Sequence, residues 1–456
     1  MNETTYDLLG IGIGPFNLGL AALTENISGL KCLFLDENNS FSWHAGMLMP
    51  WARMQVPFHA DLVTLADPCN KYSYLSFLKA KNRLFRFTIL EKYFPLRSEY
   101  DDYCKWVAIQ LKTLCFGFRC ERVTYDNNLH IYKVFAWNTY DKQTECFYTK
   151  HLVIGIGSVP HVPECARDKM PLPYLFHSSA YLQCKEALPD KGDVTIIGSG
   201  QSAGEIFYDL LEQYPHQIKK LRWLTRSTFF PMDYSKFSCE MTSPEYVDYF
   251  YSLDSALKEE ILSRQAHLYK GINTSLIDAI YDKLYLLSLT HPSLYSDISL
   301  NNHCELKEIQ PNGSGMSLRF FHREKKQCFE LATGAVILAT GYEYPFPSFL
   351  QSVRERLSFD DEGRLAAQRN YSIDKEGRTI FVQNAELHTH GFNSADLGLG
   401  VYRNIIIINT LLAREHYSLG DGNIFQTFDA PAGIPPDMPL KEAIQDTFSR
   451  VLIPEG

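Results

Sequence analysis

At 456 residues, with 45% hydrophobic and 21% charged side chains, the chain has a soluble globular composition and is too long for one simple core, so two or three domains are expected. A formal net charge of −9 argues against nucleic acid or an anionic membrane as the main partner, and apolar stretches such as Ile405-Ile406-Ile407-Ile408 are far too short to span a bilayer. Eleven cysteines, scattered without a Cys-x-x-Cys pair, suit buried thiols in a reducing compartment, and the start has acids but no basic, apolar leader; the expected location is cytoplasmic.

In chain order, the first element is Tyr6-Asp7-Leu8-Leu9-Gly10-Ile11-Gly12-Ile13-Gly14, an apolar strand running into close glycines, with a helix-like run from Pro15. Such glycines allow a tight turn and let a pyrophosphate approach the backbone at the positive end of the helix. Asn17 stands in place of the third glycine of the usual pattern, which predicts a helix set slightly further from its strand. Lys31-Cys32-Leu33-Phe34-Leu35-Asp36 reads as a second strand ending in an acid, about two dozen residues on, where a ribose hydroxyl would be met. The loop-rich stretch that follows, through Phe58, is too aromatic for an idle linker. A helix is expected from an N-cap at Ser98 to about Lys112, then a meander of strands near 118–123, 130–137 and 144–154. The run Leu152-Val153-Ile154-Gly155-Ile156-Gly157 crosses back toward the cofactor, and a boundary is placed around Pro189.

The opening theme then returns in Asp193-Val194-Thr195-Ile196-Ile197-Gly198-Ser199-Gly200-Gln201-Ser202-Ala203-Gly204. The next strand, 220–225, ends beside Arg226 rather than an acid, which suits a 2′-phosphate and hence NADP rather than NAD. Residues 243–288 are helical in character, opened by the cap Ser243-Pro244. Val336-Ile337-Leu338-Ala339-Thr340-Gly341-Tyr342 closes the second nucleotide unit.

Other chemistries fit the letters less well. Gly200-Gln201-Ser202-Ala203-Gly204 matches a hydrolase nucleophile elbow, but that reading leaves Gly198 and the whole first unit unexplained. Glu386-x-His388-x-His390 reads as loop histidines beside a glycine, so no metal is expected. Cys32 and Cys69 do not supply the redox pair of a disulfide reductase. Two nucleotide units in one chain imply that one nucleotide passes electrons to the other, the usual arrangement being NADPH and a bound flavin.

At Phe41-Ser42-Trp43-His44-Ala45-Gly46-Met47, Met54-Gln55, Asp61-Leu62-Val63, Phe176-His177-Ser178-Ser179, Gly198-Ser199-Gly200-Gln201-Ser202-Ala203, Ala339-Thr340-Gly341-Tyr342 and Thr389-His390-Gly391 the chain resembles the microbial N-hydroxylating flavin monooxygenases of siderophore biosynthesis. The similarity runs over nearly the whole chain in order. It implies an α/β fold of two dinucleotide-binding, Rossmann-like domains with a helical substrate-binding segment at about 237–290. The FAD domain would comprise 1–170 and 335–456, with the NADPH domain, 171–334, inserted.

By the same resemblance, NADPH reduces FAD, dioxygen adds to it as a C4a-hydroperoxide, and a primary amine takes the outer oxygen. Gln55 is the expected catalytic residue. Gly10, Gly12, Gly14, Asp36, Trp43, His44, Gln55, Thr340 and Gly341 are expected around FAD, and Gly198, Gly200, Gln201, Ser202 and Arg226 around NADP. The departures speak to substrate. Amino-acid hydroxylases of the family carry a lysine for the substrate carboxylate where this chain has Ala60. Two asparagines of the ornithine enzymes match Cys239 and, more loosely, Leu268. The expected substrate is therefore an amine without a carboxylate, such as putrescine, cadaverine or histamine. His59 is the residue that would replace the lost charge, and Asp396 is a candidate for holding a cationic end, a surface loop acid being the alternative reading. Lysine or ornithine hydroxylation and a non-catalytic redox sensor stay as alternatives, and a homo-oligomer is left open.

Overall fold

Strand-forming apolar runs alternate with helices along the chain and assemble into two separate sheets. The computed structural model describes residues 4–170, 172, 174–213, 218–313, 315–420 and 422–430. In the first sheet Thr5–Ile11 is flanked in parallel by Cys32–Asp36 and Gln143–Ile154, and Leu114–Phe116 extends the Cys32–Asp36 side. Its apolar residues divide between the two faces. Leu8 joins a helix-rich cluster, while Leu9 and Ile11 join Leu350 and Val353 on the other side. Burial on both faces explains why this strand reads as a continuous apolar run rather than an alternating one.

Gln143–Ile154 serves twice. Its first half continues an antiparallel meander with Ile131–Asn138 and Phe118–Asp126, and its last three residues also pair in parallel with Ile380–Val382. The chain thus leaves the first sheet, builds the second, and returns to finish the first.

The second sheet is parallel throughout, in the order Ile298–Asn301, Lys220–Leu224, Asp193–Ile197, Ala335–Leu338, Leu175–His177. Because Ala335–Leu338 lies between two strands of this sheet, the second unit runs past the boundary expected at 335. Between its last two sequence segments stands an antiparallel meander, Cys304–Asn312, Gly315–His322 and Gln327–Thr333, that the sequence reading left unassigned. The strand signal is there in hindsight: Met316, Leu318 and Phe320 alternate and are buried, with Ser317 and Arg319 between them on the other face.

The helix expected to start with Ser98 as its cap is Arg97–Ala108, with Leu96 at the cap and no side-chain cap bond. Tertiary contacts set its start instead, since the Arg97 N–H donates to Ala52 O at 2.8 Å. By contrast Ser243 caps Pro244–Ser252 as expected, accepting the Tyr246 N–H at 3.2 Å, with proline at the first helical position. The helical segment divides its packing. Pro244–Ser252 and Ser255–Arg264 lie against the late Leu387–His390 helix, whereas Thr274–Thr290 packs on Gln201–Gln213. Among the described residues no helix is long and apolar enough to cross a membrane. Four of the eleven cysteines, Cys69, Cys146, Cys239 and Cys328, are exposed rather than buried.

Candidate active site

At the first turn Gly12 has φ +89, and a Cβ there would meet the Gly155 carbonyl at 2.4 Å. Gly14 caps the Pro15–Thr24 helix with no side-chain cap bond and no acid in the first turn, and open space lies over it. The helix N–H groups are left for an anion. Asp36 accepts the Ile13 N–H at 2.6 Å on one oxygen and two bonds from Asn38 at 2.8 Å on the other, which holds its carboxylate at the turn with acceptor capacity left on the first. Open glycine, uncapped helix and acid fit the pyrophosphate and ribose of a dinucleotide. Gly10 is different. It is buried in the strand, where a Cβ would stand 2.2 Å from the Phe34 ring, so packing and not the expected cofactor contact accounts for it.

Asn17 turns inward and secures the turn from behind. Its Nδ2 donates to Gly12 O at 2.7 Å, and its Oδ1 accepts from Gln383 Nε2 at 3.1 Å. Gln383 also bonds Asn404 at 2.8 Å and Arg403 at 2.9 Å, and Arg403 pairs with Glu386 in full burial. Burial pulls Arg403 down to about 10, which still leaves it charged at neutral pH. Further along, Trp43 donates its N–H to Asp101 at 3.0 Å and meets the His44 ring edge-on at 4.4 Å. His44 keeps an accessible surface but stands in a recess near Arg97. Enclosure first, and then that guanidinium, push its imidazole down to about 4.

At the second turn a Cβ on Gly198 would lie 2.0 Å from the Ala339 carbonyl, and Trp223 Nε1 donates to Gly198 O at 2.7 Å. Gly200 leads into Gln201–Gln213, with Ser202 half-buried in its first turn. Arg226 is exposed just past Lys220–Leu224, and among the described residues no carboxylate is paired with it. A free guanidinium at this strand end fits a 2′-phosphate. Thr340 and Gly341, expected around FAD, follow a strand of the second sheet and sit in the hinge. Thr340 Oγ1 donates to His161 O at 2.5 Å, and Gly341 O accepts the His161 N–H at 2.9 Å. Two motifs of the resemblance meet at this hinge: a Cβ on Gly46 would stand 1.8 Å from Ser179 O.

Gln55 lies where the two units face each other. Its Nε2 donates to Asn273 Oδ1 at 3.2 Å and to Met232 Sδ at 3.1 Å, and its backbone carbonyl accepts the Tyr234 hydroxyl. The Asn273 N–H donates to Gln201 Oε1 at 2.9 Å, and Gln201 Nε2 donates to Glu205 at 2.9 Å. Glu205 closes a buried bidentate pair with Arg97, at 2.6 and 2.8 Å. Gln201, expected at NADP, therefore spends its amide tying the second turn to Gln55. Sequence reasoning missed Tyr234, Asn273, Arg97 and Glu205, because each partner stands more than a hundred residues away.

Ala60 is buried in a turn organised by Asp61, which accepts the N–H groups of Val63, Thr64 and Tyr74 at 2.6–2.9 Å. Asp396 and Cys239 border the same cleft as Tyr234. Burial raises the pKa of both Tyr234 and Cys239, and the Asp396 charge adds to it. His59 is elsewhere, edge-on to Phe58 at 5.7 Å and to Tyr93 at 6.0 Å in an aromatic cluster. Leu268 is buried with Tyr246, Phe250 and Phe392 and does not reach the cleft. An amide that was expected to be missing is in fact present, supplied by Asn273. Among the described residues no three or more His, Cys, Asp or Glu side chains converge as metal ligands; Glu386 is committed to Arg403, and His390 stacks on Tyr371 at 4.3 Å.

Two dinucleotide-type turns facing one cleft, with an amide held between them, define a two-nucleotide oxidoreductase fold. The chain belongs to the L-lysine 6-monooxygenase/L-ornithine 5-monooxygenase family, whose model matches residues 4–344. It is 45% identical over 440 residues to a putrescine N-hydroxylase of Shewanella oneidensis, covering 95% of this chain and 86% of that one. It is 43% identical, at a TM-score of 0.92, to the FAD-bound cadaverine monooxygenase of desferrioxamine biosynthesis from Erwinia amylovora, covering 95% and 100% of the two chains. A Kutzneria ornithine N-hydroxylase with reduced FAD, NADP+ and L-ornithine is 25% identical at a TM-score of 0.83, covering 90% and 99%.

Proposed function

We propose that this chain is a cytoplasmic, FAD- and NADPH-dependent monooxygenase that N-hydroxylates a primary diamine lacking a carboxylate, for siderophore assembly. The observation that carries the substrate class is Ala60: the buried position at the cleft where a cation would meet a substrate carboxylate holds a methyl group. A carboxylate taken from water without a cation is strongly disfavoured. The putrescine and cadaverine enzymes among its relatives support the same class.

FAD and NADPH, when bound, supply the electrons and the activation of dioxygen. The chain's own residues do the rest. Gly12, Gly14 and the Pro15–Thr24 helix receive one pyrophosphate, with Asp36 on its ribose; Gly198, Gly200 and the Gln201–Gln213 helix receive the other, with Arg226 on the 2′-phosphate. Trp43 and His44 wall the flavin side, and the low pKa of His44 keeps that wall uncharged. Gln55 presents its amide to the reacting amine, oriented by Asn273 and Met232. The amine must react as the free base, although an alkylamine in water has a pKa of about 10.4. The recessed cleft disfavours the charged form of whatever nitrogen stands beside Gln55, whose side-chain bonds among the described residues go to Asn273 and Met232 and to no carboxylate.

The test is hydroxylamine formed per NADPH consumed, across diamines, monoamines, lysine and ornithine. A carboxylate-free diamine is expected to couple best. Better coupling to lysine or ornithine would overturn the argument from Ala60.

A further inference from the structure

A carboxylate stands close to Ala60. Asp396 caps the Leu397–Leu412 helix, its Oδ1 accepting the Leu399 N–H at 3.0 Å. Among the described residues no lysine, arginine or histidine pairs with this carboxylate, whose hydrogen bonds come from backbone N–H groups. The side chain keeps an accessible surface while protein surrounds it, as a group on a cavity wall does. Burial raises its pKa, and the N–H groups of Leu399 and Gly398 oppose that rise; no cation does. An anion in that setting lacks only its counter-ion.

The neighbours fix what that counter-ion can be. Gly398 has no side chain, and a Cβ there would stand 3.2 Å from Asp396 Oδ1 and 3.5 Å from the Ala60 Cβ. Ala60, Gly398 and Asp396 therefore form one small, closely spaced wall. Where an amino-acid enzyme of the resemblance places a cation for a substrate carboxylate, this chain leaves a methyl group and offers a carboxylate beside it. The polarity of the subsite is inverted. Tyr234, whose hydroxyl bonds the Gln55 carbonyl, also feels the Asp396 charge.

We propose that Asp396 binds the remote ammonium of the diamine, with Ala60 and Gly398 leaving the room for it. This rests on the reading of the chain as an amine N-hydroxylase and adds the group that recognises the unreacted end. The productive substrate is the singly protonated α,ω-diamine: its ammonium sits on Asp396 and its neutral nitrogen stands beside Gln55. Monoamines lack the anchor, and amino acids bring a carboxylate against a carboxylate.

Asp396→Asn is the decisive variant, because asparagine caps a helix as well as aspartate and only the charge is lost. With FAD-loaded protein, kcat/KM for putrescine or cadaverine should fall about 10- to 100-fold, mostly through KM, as loss of a charge-assisted hydrogen bond does. For n-butylamine or n-pentylamine it should fall much less, so the diamine-to-monoamine ratio is the readout. Calorimetric binding of putrescine against n-butylamine gives the same ratio without turnover. If diamine and monoamine affinities fall together, or neither falls, Asp396 does not read the ammonium. Hydroxylamine formation reports separately on the activity: a wild-type protein that binds diamine through Asp396 yet forms none would sink the hydroxylase reading and leave the subsite standing. Ala60→Lys is the second variant, and it should raise the diamine KM in the wild-type background but much less in Asp396→Asn, since its ammonium occupies the same carboxylate.

Discussion

The two glycine turns share a sequence pattern but are held in different ways. The first is locked from behind by Asn17, whose partner Gln383 lies 366 residues away, and by Asn404, which donates to Phe16 O at 3.1 Å from 388 residues away. Arg403 and Glu386 complete that buried network. Among the described residues the second turn has no such backing from the far end of the chain. It is tied to the first unit through the Arg97–Glu205 pair and the Gln201–Asn273–Gln55 line of hydrogen bonds. One turn is built as a fixed seat and the other as part of a contact that reaches the reacting amide. That difference suits a resident flavin on one side and an exchanging nicotinamide nucleotide on the other.

The largest expected effect comes from filling the open glycines. Gly14 has ordinary backbone angles and empty space beyond it, so Gly14→Val should leave the fold intact and abolish flavin binding, read as loss of yellow colour at normal yield. Gly200→Val, with only Lys270 O nearby at 3.5 Å, should keep the flavin and lose its reduction by NADPH. If both variants lose flavin, the two turns do not have separate cofactors. Gly12→Val is a poorer probe, because a side chain there strikes the Gly155 backbone whether or not a cofactor is present.

Next is the tie between the units. Glu205→Gln leaves the buried Arg97 without its counter-charge, and breaking a buried pair from one side costs about 3–5 kcal/mol. Thermal unfolding should shift down accordingly, and NADPH-driven flavin reduction should become uncoupled from hydroxylamine formation as Gln55 loses its support. A variant with lowered stability but unchanged coupling would show that the line to Gln55 is structural only.

Arg226→Ala should be milder and confined to one nucleotide. Loss of a charge-assisted contact to a 2′-phosphate is about 1.5–3 kcal/mol, roughly 10- to 100-fold in the NADPH Michaelis constant, with NADH little affected. An unchanged NADPH/NADH ratio would remove Arg226 from the site. The smallest effect should be that of Asn17→Ala, about 1–3 kcal/mol for leaving buried partners unsatisfied, seen as faster flavin loss on dilution with NADPH affinity unchanged. Equal weakening of both cofactors would erase the distinction between the turns.

Sequence alone determined what short-range chemistry dictates. Glycines before a helix, an acid or a basic residue after the next strand, and Ser243-Pro244 ahead of an apolar run are patterns over a few residues, and their backbone consequences are local. They were sufficient for two strand–turn–helix units in order and for the places that Gly12, Gly14, Asp36, Gly198 and Arg226 take in them. Tertiary structure decided everything that depends on which distant segments meet. Gly10 is explained by the Phe34 ring, Leu268 by an aromatic core, and the Arg97 helix start by Ala52, none of which spacing along the chain can reveal. The amide beside Gln55 comes from Asn273, 218 residues on, and Ala60 meets Gly398 and Asp396 only in the folded chain. Which charge a buried site lacks is a property of its surroundings in space, and those are set by packing.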